Sequence, residues 1–397
     1  MPGGFKKFIR DMYSIVSGLN ISNDLLVMPN DLKRDMYEYR IRFLNPVAGN
    51  NFVSGRELKE ITDRNKYYFH EKTFDLEGSK YSCHDLFLIY SYLFGWAEMH
   101  RKNKIQKPPD IVNLMKQLHD AVFSRLSEYY ILNYYKVITQ KSSPDHKYYG
   151  IIIRASKLFK ECPRFEFVSE IFGYYPRKRM FEINGIKRPA FQLAKPMGDT
   201  ILTWLSVDSV LLKDFYSGQC RKFDIYIQSH ALKRMSERLD LLNKEALDYA
   251  IWQNTNSISD FKIYRNYLFL PFKLFDVEVG YLLADIVEDC LLFRTFLFIT
   301  HNSTPEGDRL KKQTGLGKED IMYWHIDRLS TFVGLSEEKY PRLFELFASS
   351  GLGDLVKLKE KSFDIDTLQE ANLDGLLEYM QKGKAFKNFA YQQYSTV

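Results

Sequence analysis

Apolar positions along the chain change period several times. Phe5, Phe8, Ile9, Met12, Ile15 and Val16 recur every three or four residues and stop before Gly18, which predicts a first helix with one apolar stripe. From Cys83 to Met99 nearly every side is apolar, through Leu86, Phe87, Ile89, Leu93, Phe94 and Trp96, as in a helix buried among others. After Pro108-Pro109-Asp110 the helical period resumes at Ile111, Leu114, Met115, Leu118, Val122, Leu126 and Tyr129, so residues 1–140 read as a helical domain.

Lys141-Ser142-Ser143-Pro144-Asp145 is a polar break, and beyond it short β-rich runs begin with Tyr148 to Ile153. Met180 to Ile183 and the run from Ile186 flank Asn184-Gly185, a hairpin signal because a type I′ turn needs positive φ at both central positions. Pro189 lacks an N–H and assigns the second arm to a sheet edge. Thr200 to Leu212 adds a strand-like run, and residues 146–222 read as a β-rich middle region.

The next pattern is a strand (Phe223 to Gln228), a helix from His230, a helix from Lys244, then strands near Ile263 to Leu270, Val277 to Val287 and Leu291 to Thr300. Ser229 and Asn243 stand where N-caps belong, and Glu288-Asp289 fits a tight turn. These residues, 223–305, form an α+β module. After Thr304-Pro305-Glu306-Gly307 the helical period returns through a C-terminal region, 306–397. The expected class is α+β and multi-domain.

Composition refines this only in places. A chain of 397 residues implies roughly two to four compact units. With 45% hydrophobic and 27% charged residues it is globular, and its 30 Phe and 27 Tyr supply ample core. A Tyr excess also supplies faces on which bases could stack. The net charge of +6 comes from 56 basic and 50 acidic residues, which permits an anionic partner without requiring one. Residues 151–190 hold nine basic and four acidic side chains, or +5, and are the most basic block. Cys83, Cys162, Cys220 and Cys290 lie at least 58 residues apart, so neither a zinc spacing nor a dense disulfide framework is present and a reducing, cytoplasmic setting is expected. No run approaches the ~20 apolar residues of a membrane helix.

Candidate chemistry concentrates in Ser229-His230-Ala231-Leu232-Lys233-Arg234-Met235-Ser236-Glu237-Arg238. In a helix His230, Arg234 and Arg238 share one face, which could grip a phosphate. Tyr226 to Thr300, about a fifth of the chain, resembles a family of small domains of unknown function allied to the RelE-like and BrnT-like toxin ribonucleases. The resemblance rests on "SHALKRMSERLDLLNKEALDYAI", a following strand and hairpin, and the closing strand "LLFRTFLFI". Such families carry a helical His-x-x-x-Arg-x-x-x-Arg and a polar residue in the last strand, matched here by His230, Arg234, Arg238 and Thr295.

Metal-independent RNA cleavage needs a base for the 2′-hydroxyl proton, cations for the phosphoryl transition state and a donor for the leaving oxygen. His230 suits the base, since a helix N-terminus disfavours the imidazolium. Arg234 and Arg238 suit the clamp. Thr295, or Arg294 beside it, completes the site. A structural reading stands beside this: His230 as a helix-end group, and Arg234 and Arg238 paired with Glu237, Asp240 or Asp285. Residues 226–305 carry eight basic and ten acidic side chains, or −2, which is unfavourable for RNA unless cations come from elsewhere. The alternative function is therefore a non-enzymatic binding or scaffolding protein that keeps the module as a folding unit.

Upstream, Tyr174, Tyr175, Arg177, Lys178 and Arg179 interleave aromatics with cations, as single-strand binders do. A basic turn with inward aromatics accounts for the same pattern. Gly315-Leu316-Gly317-Lys318 lacks the spacing of a nucleotide loop. Leu310 to Trp324 faintly resembles a helix-turn-helix, but Lys311 stands where that motif has a small residue, and a simple helix–loop–helix is expected. His301 and His325 have no partner at metal-ligand spacing. The expected partners are RNA and a neutralising or scaffold protein, with no cofactor, no metal and no membrane.

Overall fold

The computed structural model describes residues 3–18, 27–76, 79–102, 106–107, 109–158, 164–196 and 201–370. Cys162, Thr200 and the end of the expected helical tail, 371–397, lie outside them. The chain has the α+β class and divides into two compact units, one of residues 1–137 and 151–172, the other of 138–150 and 173–397.

The first unit contains α1 (Gly3–Ser17), α2 (Asn30–Glu38), β1 (Arg42–Phe43), β2 (Val47–Ala48), α3 (Gly55–His70), β3 (Lys72–Leu76), β4 (Ser79–Ser82), α4 (Cys83–Arg101) and most of α5 (Pro109–Lys141), β5 (Tyr148–Leu158) and β6 (Arg164–Tyr174). The stripe of α1 buries Phe8, Met12 and Val16, and the helix packs on α4 and α2. Capping boxes start α3 (Ser54 with Glu57) and α4 (Ser82 with Asp85), each satisfying otherwise orphaned backbone donors. β6 pairs in parallel with β1 and β2, and also with β5.

The second unit continues with β7 (Lys178–Ile183), β8 (Ile186–Gln192), β9 (Ala194–Pro196), β10 (Leu202–Trp204), β11 (Ser206–Asp208), a 3-10 turn (Ser209–Phe215), β12 (Lys222–Gln228), α6 (Ser229–Arg238) and α7 (Lys244–Thr255). Then follow β13 (Lys262–Tyr264), β14 (Tyr267–Leu274), β15 (Val277–Val287), β16 (Cys290–Phe298), α8 (Pro305–Thr314), α9 (Lys318–Tyr323), α10 (Leu329–Val333), α11 (Pro341–Ser349), a 3-10 turn (Gly353–Leu358) and α12 (Ile365–Glu370).

One eight-stranded sheet organises this unit, in the order β13-β14-β15-β16-β12-β8-β7, with β11 also on β12. Its centre corrects the expected boundary at 222/223. β12 pairs in parallel with β16 and antiparallel with β8, so the middle region and the module share one ladder. Residues 306–370 belong to the same compact unit. The Asn184-Gly185 hairpin forms as expected, with φ of 53° and 77°. Pro189 does not make β8 an edge, because β12 pairs only with residues 190–192 and leaves Pro189 outside that ladder. The edge strand at this end of the sheet is β7. The run from Ile263 to Leu270 is two strands, split by a turn at Arg265 and Asn266 with φ of 49° and 62°.

β12 runs straight into α6. Gln228, not Ser229, is the N-cap of that helix and makes no side-chain cap bond, whereas Asn243 caps α7 by accepting from the Ala246 N–H at 2.9 Å. α6 buries Ala231, Leu232 and Met235 and packs on β16, so its apolar face meets the sheet and its His/Arg face is left at the side.

Candidate active site

The face of α6 and the end of β16 enclose a cavity of about 310 Å³. His230, Arg234 and Arg238 line it from α6 and Thr295 from β16. All four residues singled out in the sequence thus border one space. Its other wall comes from far along the chain: His301 and Asn302 after β16, Lys318, Ile321 and Met322 on α9, and Asp327 before α10.

A β-bulge shapes the strand side. Leu283 of β15 pairs with Thr295 and the next residue, Ala284, with Phe293, so Arg294 is the extra residue of β16. Successive strand residues normally face opposite sides of a sheet. The bulge instead lets Arg294 and Thr295 both line a second cavity, of about 220 Å³. His230 and Thr295 belong to both cavities. Arg188 of β8, Gln228 and Asn184 of the hairpin complete the polar lining of the second.

Charge in these cavities differs from that of the module as a whole. Arg188, Arg234, Arg238, Arg294 and Lys318 face Asp327, five minus one or +4. Arg188 and Lys318 lie outside residues 226–305, and they supply part of what that segment lacks. The cations are not equally available. Arg238 forms an ion pair with Asp327, the two side chains being 14% and 8% exposed. Arg234 bonds Glu237 at 2.8 Å with both side chains more than a third exposed, a weak, competable pair. Arg294 meets Asp285 at 3.2 Å. Arg188 and Lys318 make no ion pair among the described residues.

Both histidines of the first cavity favour the neutral form. Burial, then the neighbouring Arg188 and Arg234, lowers the pKa of His230 below its ordinary value against the opposing pull of Glu237. Burial and the nearby Lys318 and Arg238 bring His301 down to about 4. Nδ1 of His301 accepts from the Ser303 N–H at 3.1 Å, which leaves the neutral ring's proton on Nε2.

The aromatic-basic run does not join this site. Arg177 lies 4.6 Å over the Trp204 ring and donates to Gln192 Oε1 at 3.3 Å. Arg179 pairs with Glu288, donates to Cys290 Sγ at 3.2 Å and stacks on Phe181. Tyr175 receives Lys147 over its ring at 5.3 Å, and Lys178 is exposed on the edge strand. None of Tyr174, Tyr175, Arg177, Lys178 and Arg179 lines either cavity. The basic hairpin contributes through Arg188 instead.

Sequence reasoning missed Arg188, His301, Lys318 and Asp327 as site residues. His301 carried one faint signal, its position directly after the last strand; Lys318 was visible only as a failed nucleotide-loop lysine. Glu237 does pair with Arg234 as the structural reading expected, but Asp285 pairs with Arg294 and not with Arg234 or Arg238, Arg238 pairs with Asp327, and Asp240 binds the backbone N–H and hydroxyl of Ser330. Among the described residues no group of three or more His, Cys, Asp or Glu could hold a metal ion, and no helix is long and apolar enough to cross a membrane. Comparison with protein-family models, curated proteins and solved structures gave no match.

Proposed function

We propose that this protein cleaves single-stranded RNA at the α6–β16 cavity, without a metal ion, as its resemblance to toxin-type ribonucleases implies. The observation that carries the reading is the convergence of His230, Arg234, Arg238 and Thr295 on one cavity. Neutral His230 takes the proton of a ribose 2′-hydroxyl, whose oxygen then bonds to the adjacent phosphorus. Arg234 and Thr295 hold the phosphoryl oxygens as charge builds on them. The P–O5′ bond breaks, and the departing oxygen takes a proton from the Lys318 ammonium. The products are a 2′,3′-cyclic phosphate and a 5′-hydroxyl, and both side chains exchange protons with water to reset. Arg238, tied to Asp327, holds the α9–α10 wall in place instead of binding substrate.

Purified protein incubated with mixed-sequence RNA in EDTA tests this. Fragments ending in cyclic phosphate, lost with His230→Ala, support the reading; intact RNA, or equal cleavage by the variant, removes it. The reading carries a cytoplasmic setting and RNA as partner, and a neutralising protein would act by covering the cavity mouth. A non-enzymatic scaffold is the second reading, favoured by the carboxylates that already engage Arg234, Arg238 and Arg294.

A further inference from the structure

The second cavity has the chemistry of an anion site in its own right. Its lining contains two arginines from different strands, Arg188 of β8 and Arg294 of β16, together with the neutral donors Asn184 and Gln228, and no carboxylate among the described residues. Arg294 shares its charge with Asp285, but Arg188 is half-buried and makes no ion pair among the described residues. A volume of about 220 Å³ suits a phosphate with its sugar and excludes a protein helix, whose diameter with side chains is about 10–12 Å. His230 and Thr295 form the wall common to both cavities, so a ligand filling the two would pass its backbone across the imidazole.

We infer that this second cavity is a subsite for the phosphodiester next to the one being cleaved, so that the preferred ligand is a strand with two consecutive phosphates. The inference rests on the reading of the site as one for RNA, and names the length of strand that the site grips. Arg188 is the specificity-determining cation: it touches the neighbouring phosphate and not the scissile one. A guanidinium fits a phosphate through paired N–H donors, and one charge-assisted contact of this kind is worth about tenfold or more in affinity.

Oligothymidylates test it independently of cleavage, because they lack the 2′-hydroxyl. Titration calorimetry with the full chain would compare the dinucleotide, which has one phosphate, with the trinucleotide, which has two. The expected result is about tenfold tighter binding of the trinucleotide, a preference abolished in Arg188→Gln and largely restored in Arg188→Lys, with the dinucleotide weakened less than the trinucleotide. The salt dependence of trinucleotide binding should also fall by a log–log slope of about 0.7 in Arg188→Gln, one phosphate contact's worth. Equal affinity for the two ligands, or a trinucleotide preference that survives Arg188→Gln, overturns the subsite. If wild-type protein still cleaves RNA in that case, only the subsite is lost. If the preference is found in a protein that cleaves nothing, the subsite stands and the ribonuclease reading falls.

Discussion

Arg238, at the C-terminal end of α6, and Asp327, in the turn before α10, form a largely buried ion pair in the lining of the cavity. Oδ1 of Asp327 has no hydrogen-bond partner among the described residues, so the pair is incompletely satisfied. Its value is positional: it ties the helix bearing His230 to the wall bearing Lys318.

Removing one partner leaves the other charge buried and alone. Asp327→Ala should destabilise the second unit by about 3–5 kcal/mol, whereas Arg238→Leu with Asp327→Leu should recover much of that loss. Denaturant titrations followed by tryptophan fluorescence would measure both. A single variant as stable as wild type would show that the pair is no brace.

Gly307 lies in the first turn of α8, where its N–H donates to the capping hydroxyl of Thr304 at 3.1 Å. A Cβ there would collide with the backbone carbonyl of His301. Gly307→Ala should therefore displace His301 or the start of α8, lowering stability by about 1–3 kcal/mol. Thermal unfolding together with shifts of the His301 ring resonances would register it; an unperturbed His301 signal would contradict the packing described.

Burial and adjacent cations hold His301 neutral until pH about 4. An unfolded chain would protonate the same ring near its ordinary pKa of about 6.5. The folded state thus binds fewer protons in the window from about 6.5 down to 4, and stability from this group is present above it and lost as the pH falls through it. The full effect is on the order of 3 kcal/mol. Asp248, raised by burial to about 6 despite Lys244 beside it, acts in the opposite sense, its contribution being lost as the pH rises toward 6. Histidine NMR separates the two. The His301 ring should stay neutral at pH 5, and half-protonation above pH 6 would refute the assignment.

Lys318 is assigned the proton for the departing oxygen, and a general acid contributes about 10²–10⁴ in rate. Lys318→Met should slow RNA cleavage by that range while leaving cleavage of a uridine 3′-nitrophenyl phosphate almost unchanged, since nitrophenolate needs no proton. Equal losses on both substrates would move Lys318 from proton donor to phosphate contact.

Legibility from the sequence followed the range of the interactions. α1, α4, α5, α6 and α7, and the Asn184-Gly185 turn, are local: period, caps and positive-φ residues decide them. The convergence of His230, Arg234 and Arg238 is equally local, being a single helix face. Parallel pairing of β12 with β16 is not local, and it hid the common sheet that erases the 222/223 boundary. Pro189 misled because its constraint acts on one ladder, and β12 stops pairing one residue short of it. The far wall of the site was illegible for the same reason. Asp327 meets Arg238 across 89 residues of sequence, and no periodicity links a carboxylate to a guanidinium that distant. Arg177 and Arg179 looked available because sequence cannot show Trp204, Gln192, Glu288 and Cys290 taking up their guanidinium groups.

The most direct test of the central claim, that His230 acts as a neutral base in a cavity shared with Arg234 and Thr295, is the pH dependence of kcat/KM for RNA cleavage in EDTA. Wild-type protein should hold its rate across neutral pH and lose it on the acid side with an apparent pKa below the ordinary histidine value of about 6.5, and His230→Gln should fall about 10²–10⁴-fold and lose that acid limb. An acid limb that persists unchanged in His230→Gln, or no cleavage by the wild type at any pH, would contradict the account.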